Sequence, residues 1–153
     1  MSAFTITRDT PLSVAQAWAA VADLGAHGDV VPLTRLVLDP GPPHVGWGFK
    51  AGTGVGRLTI WDHMLVTKWS PPGPDVPRGA LHIVKTGQWL GGWAHITIEA
   101  AGAGARVEWT EEIYPQVDPV PRLTAPLARR LGSRLFTATL EALLRRAETS
   151  ARV

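Results

Sequence analysis

The chain has no cysteine among its 153 residues. That excludes a disulfide framework, a thiolate zinc site and a cysteine nucleophile. No apolar run approaches the roughly 20 residues that a membrane span needs, so no stable membrane insertion is expected. The opening MSAFTITRDT is polar and alternating, without a basic-then-apolar leader, and a cytoplasmic soluble protein is the expectation. Lysine is scarce, at 3 against 12 arginines, and Ala, Gly, Pro and Val are abundant, a pattern of high-GC bacterial hosts. Tyrosine occurs once and phenylalanine three times, against seven tryptophans. Rings that large, each needing one hydrogen bond, suit a wide apolar interior.

Several chemistries are missing as well. GxSxG, HExxH and a Walker A loop do not occur. The glycines of AGTGVGR (51–57) lack the GxGxxG spacing and no helix follows them, so they read as a hairpin turn. The five serines, at 2, 13, 70, 133 and 150, stand beside no histidine, which argues against a serine hydrolase. No cofactor and no metal site is expected. His82 and His95 fall on outward strand phases and face each other across a hairpin, but two histidines without a third ligand do not make a metal site.

What is present fits one domain, 1–153, since domains cluster at roughly 100–150 residues. AFTITR (3–8) alternates as a strand. Ser13 then opens a short helix carrying Val14, Ala17, Trp18, Val21 and Ala22 at helical spacing. Gly25, Gly28 and Pro32 limit any second helix to about two turns. From there to residue 114 the period becomes two. The segments 33–39, 45–51, 57–69, 80–86, 93–100 and 105–114 read as successive antiparallel strands between Gly- and Pro-rich turns. A long helix follows Pro119 and Pro121 to about residue 149. It carries two apolar stripes, Leu123/Leu127/Leu131/Leu135 and Phe136/Leu140/Leu143/Leu144/Ala147, whose offset predicts an irregularity near Gly132. Strands segregated from helices give an α+β class: a curved antiparallel sheet of about seven strands wrapped around the C-terminal helix, with two short helices after strand 1. Such a sheet curves more than one helix can fill, and the space left between them is where function would sit.

The stretches FTITRDTPLSVAQAWAAVADLGAHGDVVPLTRL (4–36), GPPHVGWGFKAGTGVG (41–56), MLVTKWSPP (64–72) and IVKTGQWLGGWAHITIEAAGAGARVEWTEEI (83–113) resemble the START-like, or SRPBCC, superfamily. This is the helix-grip fold of the birch pollen allergen and of polyketide cyclases/dehydrases. The likeness is greatest to a group of actinobacterial SRPBCC proteins. It implies a cavity fold whose members include lipid carriers, hormone receptors, aromatase/cyclases and co-chaperones, so it specifies fold better than chemistry. None of the aromatase/cyclases' catalytic residues can be matched to positions here.

Strand phase says which side chains face that space. Leu58, Ile60, Asp62, Met64 and Val66 share one face; so do Leu81, Ile83 and Lys85, then Ala94, Ile96 and Ile98, then Val107, Trp109, Glu111 and Ile113. Three strands thus set one ionisable residue each on an apolar face: Asp62, Lys85 and Glu111. A buried unpaired charge costs several kcal/mol, so such groups pair, shift their pKa or meet ligand. Two readings stand: ion pairs near strand ends, or a polar spot in the cavity. In the second, a carboxyl desolvated against Trp109 would take a proton alpha to a carbonyl while Lys85 holds the enolate oxygen. The expected ligand-binding residues are Trp47, Phe49, Ile60, Met64, Ile83, Ile96, Trp109, Phe136 and Leu140. Trp61 and Trp69 take the opposite phase of their strand. Trp89 and Trp93 flank a Gly91-Gly92 turn, as packing or as a pocket lip. His27, between Gly25 and Gly28, reads as an exposed loop histidine more readily than a catalytic or gating one.

Charge is uneven. Residues 120–153 carry seven Arg and two Glu, +5, and residues 1–119 carry −3. Arg129, Arg130, Arg134, Arg145 and Arg146 spread around the last helix, which reads as a solvated face and not as a nucleic-acid surface. The expectation is a monomer or homodimer whose partner is a small hydrophobic molecule, lipid, aromatic or polyketide-like, with no nucleic acid. A cyclase/dehydratase working through Asp62, Lys85 and Glu111 is the alternative, and a protein-interaction module the second alternative.

Overall fold

The computed structural model describes residues 3–116 and 125–152. Strand β1 (Phe4–Thr10) leads into α1 (Val14–Val21) and α2 (Leu24–Val30). Six further strands follow: β2 (Thr34–Leu38), β3 (Gly48–Thr53), β4 (Ile60–Ser70), β5 (Gly79–Thr86), β6 (Leu90–Ala101) and β7 (Gly104–Pro115). The long α3 (Ala125–Ser150) comes last. All neighbouring strands pair antiparallel in the order β1-β7-β6-β5-β4-β3-β2. This is the helix-grip α+β architecture.

Local chemistry explains the helix starts. The Ser13 hydroxyl accepts from the Gln16 N–H at 3.2 Å while the Gln16 side chain accepts from the Ser13 N–H at 2.9 Å. That reciprocal cap engages two amide groups that α1 cannot bond internally. Asp23 caps α2 through the Ala26 N–H. The concave face of the sheet buries Ile6, Val66, Leu81, Ile96, Ile98 and Val107 against Trp18 and Val21 of α1 and Leu140 and Leu144 of α3. Each such side chain contributes roughly 1.5–3 kcal/mol by leaving water.

The long helix runs through Gly132 without a break, so the expected irregularity there is absent. Its second stripe packs as read, with Leu140, Leu143 and Leu144 buried. In the first stripe Leu131 and Leu135 stay exposed, while Leu123 and the side chain of Leu127 lie outside what is described, as do Pro119 and Pro121. The two stripes need not overlay because only one is packed. The C-terminal half of α3 lies on β1 and α1, whereas Gly132 and Leu135 overhang open space.

Three strand readings are corrected. Residues 56–58 form a short 3-10 turn ahead of β4, so Leu58 is exposed and does not share the inward face of that strand. The register of β4 on β5 shifts between Val66 and Lys68. Beyond that bulge the phase reverses, so Trp69 turns inward and meets Trp18 edge-on at 5.1 Å, while Trp61, before it, stays outside between Arg35 and Lys50. One extra residue flips every later side chain to the other face. Gly91 and Gly92 are not a turn either. They belong to β6, opposite Thr86 and Lys85, and residues 87–89 make the turn. Trp89 sits exposed on that turn, and Trp93 lies on the outer face, donating to Glu112 at 3.0 Å.

Candidate functional site

Between the sheet, α2 and α3 lies a cavity of about 420 Å³. Its walls are mostly aliphatic and aromatic: Phe49, Met64, Ile83, Ile96, Trp109 and Phe136 form much of them. Trp109 and Phe136 rings approach to 5.4 Å. Ile60, half exposed, and Leu135 stand where the cavity opens.

Three ionisable side chains of the sheet gather at one place. Lys85 Nζ lies 2.6 Å from Asp62 Oδ2, 3.6 Å from Glu111 Oε1 and 3.7 Å from Met64 Sδ. Trp109 Nε1 donates to Glu111 Oε2 at 3.0 Å. The ladder explains the meeting. Lys85 pairs with Gly92, which pairs in turn with Ile113 of β7, and Glu111 stands one inward step from Ile113. Asp62 is the next inward residue of β4 after Met64, the direct partner of Lys85. Glu111 is nearly inaccessible, and burial pushes its carboxyl up to about 7 against the opposing pull of Lys85 and the Trp109 N–H. Asp62 Oδ1 is buried without a hydrogen-bond partner among the described residues, close to Gly87 at the β5–β6 turn.

His27 closes the cavity from the helix side. Its Nε2 lies 2.8 Å from the Val21 carbonyl and its ring stands 5.6 Å from that of Trp109. The residue is half-buried and lines the cavity, and burial holds its pKa below the ordinary histidine value. Among the described residues no three His, Asp or Glu side chains are grouped to hold a metal ion, and no helix is long and apolar enough to cross a membrane.

The family described as polyketide cyclase/dehydrase and lipid transport matches residues 1–148. The chain belongs to that family. It is thereby a member of the SRPBCC superfamily, and solved structures agree on the fold. An aromatase/cyclase from Streptomyces sp. R1128 superposes with a TM-score of 0.74 at 14% identity, over 99% of this chain and 96% of that one. A protein from Thermus thermophilus gives 0.77 at 12%, over 97% and 99%. Ara h 8.0201 gives 0.66 at 15%, over 94% and 98%. No curated protein matches by sequence.

In this polyketide cyclase/dehydrase-family chain, seven of the nine expected ligand-binding residues line the cavity: Phe49, Ile60, Met64, Ile83, Ile96, Trp109 and Phe136. The other two do not. Trp47 is buried against Phe49 at 5.9 Å but faces a shallow cleft with Trp18 and Trp69, behind α1. It precedes β3, where strand phase no longer governs direction. Leu140 is fully buried in the helix–sheet core, one turn beyond Phe136, where α3 closes onto the sheet. Asp62, Lys85 and Glu111 all line the cavity and touch one another. The reading of His27 as an exposed loop residue is wrong: it lies on α2 and faces inward. Asp23 as a cap, with helical spacing from Leu24, is the signal that places it. His82 and His95 stack at 3.8 Å on the outer face.

Proposed function

We propose that the cavity binds a small, mostly apolar organic molecule, lipid, aromatic or polyketide-like. One observation carries this reading: an apolar chamber of about 420 Å³ in which Asp62, Lys85 and Glu111 gather at one place on the sheet. Chambers of roughly 300–1,000 Å³ with a few convergent polar groups are the usual form of a small-molecule site. The family's description, which includes lipid transport, and the likeness to an aromatase/cyclase support the same class. An open chamber also weighs against a pure interaction module, whose interior would be filled by its own side chains. The test compares native with denatured mass of purified protein, then titrates aromatic and lipid ligands against wild type and Ile83→Trp, which fills the chamber. Saturable binding lost in the variant supports the reading; binding unaffected by filling the chamber overturns it.

A second reading is favoured by Glu111, whose carboxyl titrates at about 7 beside Lys85. A base near neutrality, walled by Trp109, is suited to removing a proton alpha to a carbonyl, the first step of a cyclisation or dehydration. Lys85 would leave its carboxylate partners to meet the enolate oxygen. The test follows α-deuterium exchange of 2-acetylnaphthalene in heavy water. Exchange abolished by Glu111→Gln or Lys85→Met, with affinity kept within a few fold, supports an enzyme. Exchange unchanged by both removes this reading.

A further inference from the structure

The polar side chains of the cavity share a property: among the described residues, and with Glu111 ionised, each hydrogen-bond donor that lines it is already engaged inside the protein. The Lys85 ammonium lies against Asp62, Glu111 and Met64. Trp109 Nε1 donates to Glu111. Thr139 Oγ1 donates to the Leu135 carbonyl at 2.9 Å. Thr34 Oγ1 lies 3.2 Å from the Pro32 carbonyl and 3.0 Å from Thr53 Oγ1. A carbonyl only accepts, so Thr34 gives its proton to Pro32 and Thr53 gives its own to Thr34. His27 follows the same logic. Nε2 faces the Val21 carbonyl at 2.8 Å and must carry the proton, which leaves Nδ1 of the neutral ring as a bare acceptor.

Acceptors, by contrast, remain in supply: His27 Nδ1, the lone pairs of the Thr139 hydroxyl, and the carboxylates. The charges point the same way. Two carboxylates share one ammonium, and no other lysine or arginine lines the cavity among the described residues. With Glu111 ionised, a guest carboxylate enters as a third anion, competing for a cation already paired, between mostly apolar walls.

We propose that the cavity selects an uncharged guest that brings its own hydroxyl donor, a phenol, enol or alcohol on an aromatic or polyketide-like frame, and rejects the carboxylate of the same shape. This rests on the reading that the cavity binds a ligand, and names that ligand's class. His27 Nδ1 is the acceptor placed to read the hydroxyl, because its ring flanks Trp109, the aromatic surface on which a flat guest would lie. His27 is then a specificity residue.

The test titrates 2-naphthol, 2-methoxynaphthalene and 2-naphthoate into the full chain at about pH 8, where Glu111 is mostly ionised and adds no donor, and reads amide and imidazole shifts by NMR. The expected order is 2-naphthol at least about tenfold tighter than 2-naphthoate and several-fold tighter than the methyl ether, which keeps the shape without the donor. In His27→Phe the advantage of naphthol over its ether disappears while the ether's affinity stays within about twofold. Should that variant fail to fold, the wild-type imidazole decides: naphthol shifts the His27 Nδ1 resonance and leaves Nε2 in place. Naphthoate binding as tightly as naphthol overturns the proposal and leaves the ligand-binding reading intact. Binding by none of the three overturns both. Naphthol favoured with neither a His27→Phe effect nor an Nδ1 shift removes His27 from it.

Discussion

Lys85 Nζ lies 2.6 Å from Asp62 Oδ2 although the two residues are not opposite each other in the ladder. Lys85 pairs with Met64, and Asp62 is the diagonal neighbour on the same face. Both side chains are almost fully buried, at 7% and 11% exposure. In such surroundings attraction roughly offsets desolvation while both charges are present, and removing one strands the other. Lys85→Met is therefore expected to cost ~3–5 kcal/mol of stability, leaving Asp62 and Glu111 without their cation. Adding Asp62→Asn should restore part of that loss, with a coupling of about 1–3 kcal/mol between the sites. Urea unfolding of the two single variants and the double variant reads it; additive costs would contradict the pairing.

The carboxyl of Glu111 sets a pH signature. Its pKa rises from 4.5 in the open chain to about 7 in the fold, so the native state holds a proton that the unfolded chain releases. A raised folded pKa gives stability that is full below the unfolded value and is lost as pH climbs through the folded one. The loss between about pH 4.5 and 7 is on the order of 3 kcal/mol. Glu111→Gln removes that slope, so the variant gains on wild type as pH rises across this window and the difference levels off above it. Thermal or urea unfolding at about pH 4.5, 6 and 8 checks this; parallel curves would show that Glu111 titrates normally.

The bulge in β4 separates two tryptophans that simple alternation puts on one side. Trp69 lies inward against Trp18, while Trp61 lies outward between two cationic side chains. Trp69→Ala should cost ~3–5 kcal/mol by opening a core cavity. Trp61→Ala, which removes two exposed cation–π contacts, should cost about 1 kcal/mol. Equal losses in denaturant unfolding would contradict the phase reversal.

That contrast marks how far the sequence can be read. Alternation, glycine-rich turns and helical spacing locate seven strands and three helices in order, because each signal is local. The inward phases of Asp62, Lys85 and Glu111 are equally local, and strand phase likewise brings six of the nine expected ligand-binding residues to the cavity wall, with Phe136 joining them from the helical stripe. Register is not local. Whether the three charges meet depends on how β4, β5, β6 and β7 slide past one another, which no single strand encodes. The bulge at Val66/Lys68 has no glycine or proline to announce it, so alternation puts Trp69 on the wrong face. His27 is hidden by its glycine neighbours, which suggest a loop although the Asp23 cap holds the segment helical. Trp47 and Leu140 lie beyond the limits of the cavity, one ahead of a strand and one a turn along α3.

Gly92 links the strand geometry to the cavity. It has φ 132, outside the range that L side chains adopt easily, and a Cβ there would stand on the backbone carbonyl of Glu112. That close approach keeps β6 tight on β7 at the pair Gly92–Ile113, just where Lys85 crosses toward Glu111. Alanine would force the strands apart and strain the backbone together. Gly102 makes a control: its φ is 57, in the left-handed region, but open space surrounds it. Gly102→Ala should cost about 1–2 kcal/mol from backbone conformation alone, and Gly92→Ala at least ~3 kcal/mol from conformation plus displacement. The second variant should also blunt the pH slope described for Glu111, since the wall enclosing that carboxyl is loosened, while the first leaves it intact. Matching costs, or an unchanged slope in Gly92→Ala, would show that the approach of β6 to β7 is not what encloses Glu111.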